Sequence, residues 1–79
     1  MPEFYLLMKE QCPLCIQAIQ LIHQQPLDEP IHLHMVDIAS DPELIREYGL
    51  LVPVLIRAVD DAEMKWPFQE GQLKEFLSQ

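Results

Sequence analysis

Cys12 and Cys15 are the only cysteines of this 79-residue chain, and only Pro13 and Leu14 stand between them. Two thiols at that spacing can cycle between dithiol and disulfide, supply half of a metal site, or pack as small hydrophobes. Where the pair sits decides between these. An apolar run, Phe4-Tyr5-Leu6-Leu7-Met8, reads as a strand buried on both faces, and Lys9-Glu10-Gln11 then makes a short polar loop. Pro13 suits the first position of a helix, where its missing N–H costs nothing. Cys12 therefore falls at or just before a helix start. There the free backbone N–H groups and the positive end of the helix dipole favour thiolate over thiol. Cys15 follows about one turn later, more covered by the helix. In a redox reading Cys12 attacks a substrate disulfide and Cys15 resolves the mixed disulfide. Lys9 adds a positive charge near Cys12, which Glu10 and the acidity of the chain oppose.

The competing readings are poorly served by the histidines. Zinc would need further ligands from His23, His32 or His34. His23 falls near the far end of the first helix, and His32 and His34 near the start of the second strand, at the opposite end of the sheet. No metal is expected at the cysteines. A binding module carrying a vestigial dithiol is the alternative from a different functional class. Pro53 is the second informative residue. It opens a strand, either as an edge feature or as a cis proline beside the redox pair.

The elements that must position these residues follow from patterning. The first helix starts at Pro13, with Cys15, Ala18, Ile19 and Ile22 on its apolar face, and ends near Gln25 because Pro26 cannot continue it. Ile31 to Ile38 alternates as a second strand. Ser40-Asp41-Pro42-Glu43 is a helix-start signal, Leu44, Ile45 and Tyr48 give that short helix its apolar side, and Gly49 is read as a left-handed terminator. Val54–Val59 and Ala62–Trp66 form two strands around an Asp60-Asp61 turn, antiparallel because the turn is so short. A last helix, from Gln69 to Gln79, carries Leu73, Phe76 and Leu77. The order β-α-β-α-β-β-α predicts an α/β fold: a four-stranded mixed sheet flanked by three helices, in one domain over residues 1–79. Its strand–helix–strand start makes a right-handed parallel crossover.

Composition narrows function further. Thirteen acidic residues against five basic ones give a net charge of -8, which disfavours nucleic acid and anionic membranes. No apolar stretch approaches the roughly 20 residues of a membrane span, and no signal peptide is expected. A cytoplasmic monomer is the expectation, one in which nearby cysteines are redox-active or metal-binding rather than a structural staple.

The first strand, Lys9-x-x-Cys12-Pro13-Leu14-Cys15, and Val52-Pro53 before the third strand together resemble the glutaredoxins, over essentially the whole chain. The resemblance implies the minimal thioredoxin fold with strand order 2-1-3-4 and a cis proline at Pro53. It makes Cys12 the nucleophile and Cys15 the resolving thiol. Val52 and Pro53 become the substrate-docking edge, with backbone hydrogen bonds from Val52, and Lys9 the base that reaches a glutathione carboxylate. The implied activity is thiol–disulfide exchange on protein or glutathione mixed disulfides in cell redox homeostasis. No cofactor is required, with glutathione or a reductase as electron donor.

The chain departs from the family at Leu14, where an aromatic is usual, and at Leu51, where threonine is usual. It also reads Trp66-Pro67-Phe68-Gln69 where glutaredoxins carry the Gly-Gly and acidic residue that hold the γ-glutamyl end. Gln69 and Glu70 are the residues left near that end. Trp66 and Phe68 read as packing around the last helix, Asp60, Asp61 and Glu63 as a solvated turn, and Asp37 as a turn residue or a proton acceptor for the thiols.

Overall fold

The computed structural model describes residues 1–78; Gln79 and the side chain of Glu70, and so the expectations that fall on them, lie outside the described residues. The chain runs β1 (Glu3–Met8), α1 (Pro13–His23), β2 (His32–Asp37), a 3-10 turn (Ile38–Ser40), α2 (Pro42–Tyr48), β3 (Val54–Arg57), β4 (Ala62–Lys65) and α3 (Glu70–Leu77). The sheet order is β2-β1-β3-β4. β1 and β2 are parallel, while β1–β3 and β3–β4 are antiparallel. This is the α/β architecture, order and mixed sheet that the sequence predicts.

Side-chain alternation along β1 divides the core in two. Phe4 and Leu6 point to one face and, with Leu55 of β3, pack against Ala18 and Ile22 of α1 and Leu73 and Leu77 of α3. Leu7 points to the other face and, with Val54, meets Ile38 and Tyr48 around α2. α1 and α3 therefore share one face, and among the described residues α2 is the α-helix on the other, with Ile38 of the 3-10 turn beside it. Its seven residues span about 10 Å, which covers only the end of the sheet where Leu7 lies. Tyr5 consequently stays exposed, correcting the expectation of a first strand buried on both faces.

Local devices hold the elements. Asp41 caps α2, its carboxylate accepting the N–H groups of Glu43 at 3.0 Å and Leu44 at 3.4 Å. Tyr48 at the other end donates its hydroxyl to Glu63 on β4 at 2.6 Å. That hydrogen bond, then burial, pushes the phenol up to about 12, so it remains a donor at neutral pH. Gly49 is not the left-handed terminator expected, because its φ is -54°. It is needed for space: a Cβ there would meet the Ile45 carbonyl oxygen at 2.5 Å.

β3 stops at Arg57, two residues earlier than patterning predicts, because Ala58–Asp61 form the turn. Asp61 has φ 58°, its N–H bonds the Arg57 carbonyl at 2.8 Å, and the Asp60 carboxylate accepts the Ala62 N–H at 3.1 Å. Asp60 also receives the Arg57 guanidinium at 3.0 and 2.6 Å. The guanidinium, then the Ala62 N–H, holds its carboxyl down at about 2. This turn is clamped rather than merely solvated. Arg57 further donates to the Phe76 carbonyl at 3.2 Å and lies 4.6 Å from the centre of its ring, joining the sheet to α3.

Candidate active site

β1 ends at Met8, and the chain must reverse within four residues to start α1 above the sheet. Gln11 makes the reversal in the left-handed region, at φ 55°, a conformation that costs a non-glycine residue on the order of 1–2 kcal/mol. Sequence patterning gives no sign of it, since glutamine is not one of the residue types that mark a left-handed position. Its consequence is the placement of Cys12, extended at φ -115° and ψ 98°, as the N-cap of α1, with Pro13 in the first helical turn.

Cys12 takes the role that serine or aspartate usually fills at a helix start. The backbone N–H of Cys15 donates to its Sγ at 3.2 Å. The sulfur is thus held at the helix N-terminus by one backbone N–H, a place where a thiolate is stabilised. Among the described residues no carboxylate occupies the first turn of α1 to oppose it. The two cysteines are joined as a disulfide, with Cα atoms 5.2 Å apart. Cys12 is half-buried, whereas Cys15 is only 2% exposed. An incoming sulfur can reach the first and not the second.

The antiparallel register sets Val54 opposite Leu7. Pro53, just before Val54, therefore lies at the end of the sheet where β1 gives way to the Cys12 turn. The Val52–Pro53 peptide is cis, Pro53 is buried and Val52 is half-buried. The Val52 N–H is already donated to the Tyr48 carbonyl at 3.1 Å. Of its two backbone groups, the carbonyl is the one that this bond does not engage.

Lys9 is exposed and donates its ammonium to the Gly49 carbonyl at 3.0 Å. It braces the segment leading to Val52 and Pro53, an interaction across forty positions that the local sequence does not announce. Lys9 also borders an apolar hollow formed with Ile38, Ile45 and Leu50. Leu14 and Ile16 beside Cys15, Ile45 on α2, and Leu50 and Leu51 ahead of Val52 are all exposed, Leu50 at 99%. These apolar residues border both segments of the site.

The remaining sequence candidates sit in local turns, caps and aromatic packing. The Asp37 carboxylate accepts the Ala39 N–H at 2.9 Å and caps the 3-10 turn. Phe68 is buried in the core beneath α3, with Trp66 packed edge-on at 5.2 Å. The segment that carries Gly-Gly in glutaredoxins is here anchored by aromatic packing, and its Trp66–Pro67 peptide is also cis. Gln69 is the N-cap of α3 and makes no side-chain capping bond. Among the described residues, no helix is long and apolar enough to cross a membrane.

Comparison with known proteins agrees with this geometry. Two solved structures of the structural-genomics target protein XcR50 from X. campestris share the fold. The X-ray structure is 30% identical with a TM-score of 0.74, over 94% of this chain and 93% of that one. The solution structure is 31% identical with a TM-score of 0.75, over 98% and 92%. No curated protein matches. The model of the glutaredoxin-like domain (DUF836) matches residues 3–78, nearly the whole chain. With its dithiol at a helix start and its sheet in the order β2-β1-β3-β4, the chain belongs to the glutaredoxin-like domain family.

Proposed function

We propose that this protein is a dithiol–disulfide oxidoreductase whose substrates are disulfides of proteins. The observation that carries the reading is Cys12 Sγ at the N-cap of α1 with Cys15 buried behind it. The Cys12 thiolate attacks one sulfur of a substrate disulfide, forming a mixed disulfide and releasing the other sulfur as a thiolate. The Cys15 thiolate then attacks Cys12 Sγ, which closes the Cys12–Cys15 disulfide and expels the second substrate thiol. Two electrons have passed to the substrate, and an external thiol donor returns the protein to its dithiol form.

The substrate class rests on two features. Leu14, Ile16, Leu50 and Leu51 offer apolar surface that a polypeptide can cover. The docking edge is Val52 and Pro53, with the Val52 carbonyl meeting the backbone beside the substrate cysteine. Glutathione is less well served. It is an anion facing a chain of net charge -8, Lys9 is engaged by Gly49, and the γ-glutamyl segment is filled by Phe68 packing. A dithiol reductase is therefore the favoured donor over glutathione.

The test is turnover of a protein disulfide with either donor. A dithiol reductant is expected to regenerate the oxidised form much faster than glutathione at equal thiol concentration. Cys12→Ser is expected to abolish turnover, and Cys15→Ser to accumulate a substrate mixed disulfide at Cys12. Equal loss in both variants without a trapped intermediate would overturn the assigned order. Biological activity retained by a Cys12→Ser, Cys15→Ser double variant would favour the non-catalytic interaction module instead.

A further inference from the structure

The end of β1 remote from the dithiol carries a second group of chemically capable side chains. The parallel register sets Glu3 opposite His32 and Tyr5 opposite His34, all on the face that α2 serves. Because α2 stops short, this part of the face meets solvent instead of a helix. His34 Nε2 lies 2.8 Å from a Glu3 carboxylate oxygen. The rings of His32 and His34 stack at 4.2 Å between centres, and Tyr5 stacks on His34 from the next strand at 4.9 Å. Two imidazoles and a carboxylate thus converge, one of them oriented by an aromatic neighbour. One donor atom from each of Glu3, His32 and His34 lies within 4.8 Å of the others.

We propose that Glu3, His32 and His34 form a binding site for a divalent transition-metal ion, zinc being the ion whose chemistry it fits best. Imidazole nitrogen selects this class over calcium or magnesium, which prefer all-oxygen shells. Zinc takes histidine and carboxylate ligands at about 2.0–2.2 Å, so tetrahedral neighbours stand about 3.4 Å apart. Closing the present spacing around an ion takes side-chain movements of about 1–1.5 Å, within the reach of χ rotation on exposed strand residues. Three protein ligands leave a fourth position for water, as in open zinc sites. The ion would replace the direct His34–Glu3 hydrogen bond and join β1 to β2 near the start of both strands. From Glu3 to Met8 the strand spans about 16 Å, so the site is separate from Cys12 and Cys15.

The test is titration of the tag-free, oxidised protein with Zn²⁺ alone, followed by calorimetry and by the histidine ring signals in NMR. With the Cys12–Cys15 disulfide intact, no thiolate competes for the ion. One equivalent is expected to bind, shifting the ring signals of His32 and His34 while those of exposed His23 stay in place. His32→Ala and His34→Ala are each expected to weaken binding by about tenfold or more, Glu3→Gln to weaken it less, and His23→Ala to leave it unchanged. Circular dichroism of each variant separates a lost ligand from a lost fold. Absence of saturable binding would overturn the site, as would unchanged affinity in folded His32→Ala and His34→Ala.

Discussion

The two ends of β1 carry side chains of comparable chemical potential in opposite settings. Beyond Met8, a helix begins directly over the chain, and its first turn gives an N–H to Cys12 Sγ at 3.2 Å while its body buries Cys15. Around Glu3, among the described residues, no helix covers the α2 face, and the Glu3 carboxylate and His32 imidazole are exposed beside a half-buried His34 at β1–β2 register positions. The first setting makes two identical side chains unequal, one approachable and one protected, which ordered thiol exchange requires. The second sets two exposed groups, Glu3 and His32, beside a half-buried His34, suited to converging on one ion. Helix placement, more than residue type, separates them.

That contrast can be broken at several points. The largest effect is expected from Cys12→Ser, which removes the approachable thiol and should reduce protein-disulfide turnover to background in a stopped assay. Phe4→Ala strikes the strand common to both ends. Phe4 is fully buried between α1 and α3, and its truncation should cost about 3–5 kcal/mol in denaturant unfolding. Leu50→Asp tests the apolar border of the dithiol. It should lower kcat/KM for a protein disulfide about tenfold more than for a small-molecule disulfide, the equivalent of burying much of one leucine. Tyr48→Phe removes the bond to Glu63 that fastens α2 to β4, and unfolding should show a loss of about 1 kcal/mol.

The smallest effect concerns the turn after β3. The Asp60 carboxyl is lowered from 3.8 to about 2 in the folded chain, so its stabilising contribution is complete above 3.8 and disappears as pH falls towards 2. Thermal melting should therefore decline through that window, and Asp60→Asn should make the decline shallower. An unchanged profile in the variant would show that the Arg57 clamp contributes nothing measurable.

Much of this contrast is legible in the sequence at one end and little of it at the other. The cysteine spacing, Pro13 at a helix start, Pro53 before a strand and the order of elements are local signals, and local patterning reports them. The same patterning places His32 and His34 on one strand face away from the cysteines. It does not bring Glu3 to them, because that depends on the parallel β1–β2 register across about thirty residues. Lys9 to Gly49 and Tyr48 to Glu63 are likewise products of tertiary packing. Gln11 and Gly49 show a further limit. The first adopts a left-handed conformation without being glycine or asparagine, and the second is glycine for close approach rather than for its φ.

The central claim is that Cys12 and Cys15 act as one redox couple started by Cys12. It is tested most directly by equilibrating the protein across a series of dithiol redox buffers, alkylating rapidly and weighing the products. The account predicts a single two-electron transition in which both cysteines become reducible together, and, in the reduced protein, faster alkylation of Cys12 than of Cys15 at neutral pH. A pair that never re-forms its disulfide, or in which Cys15 reacts first, would contradict it.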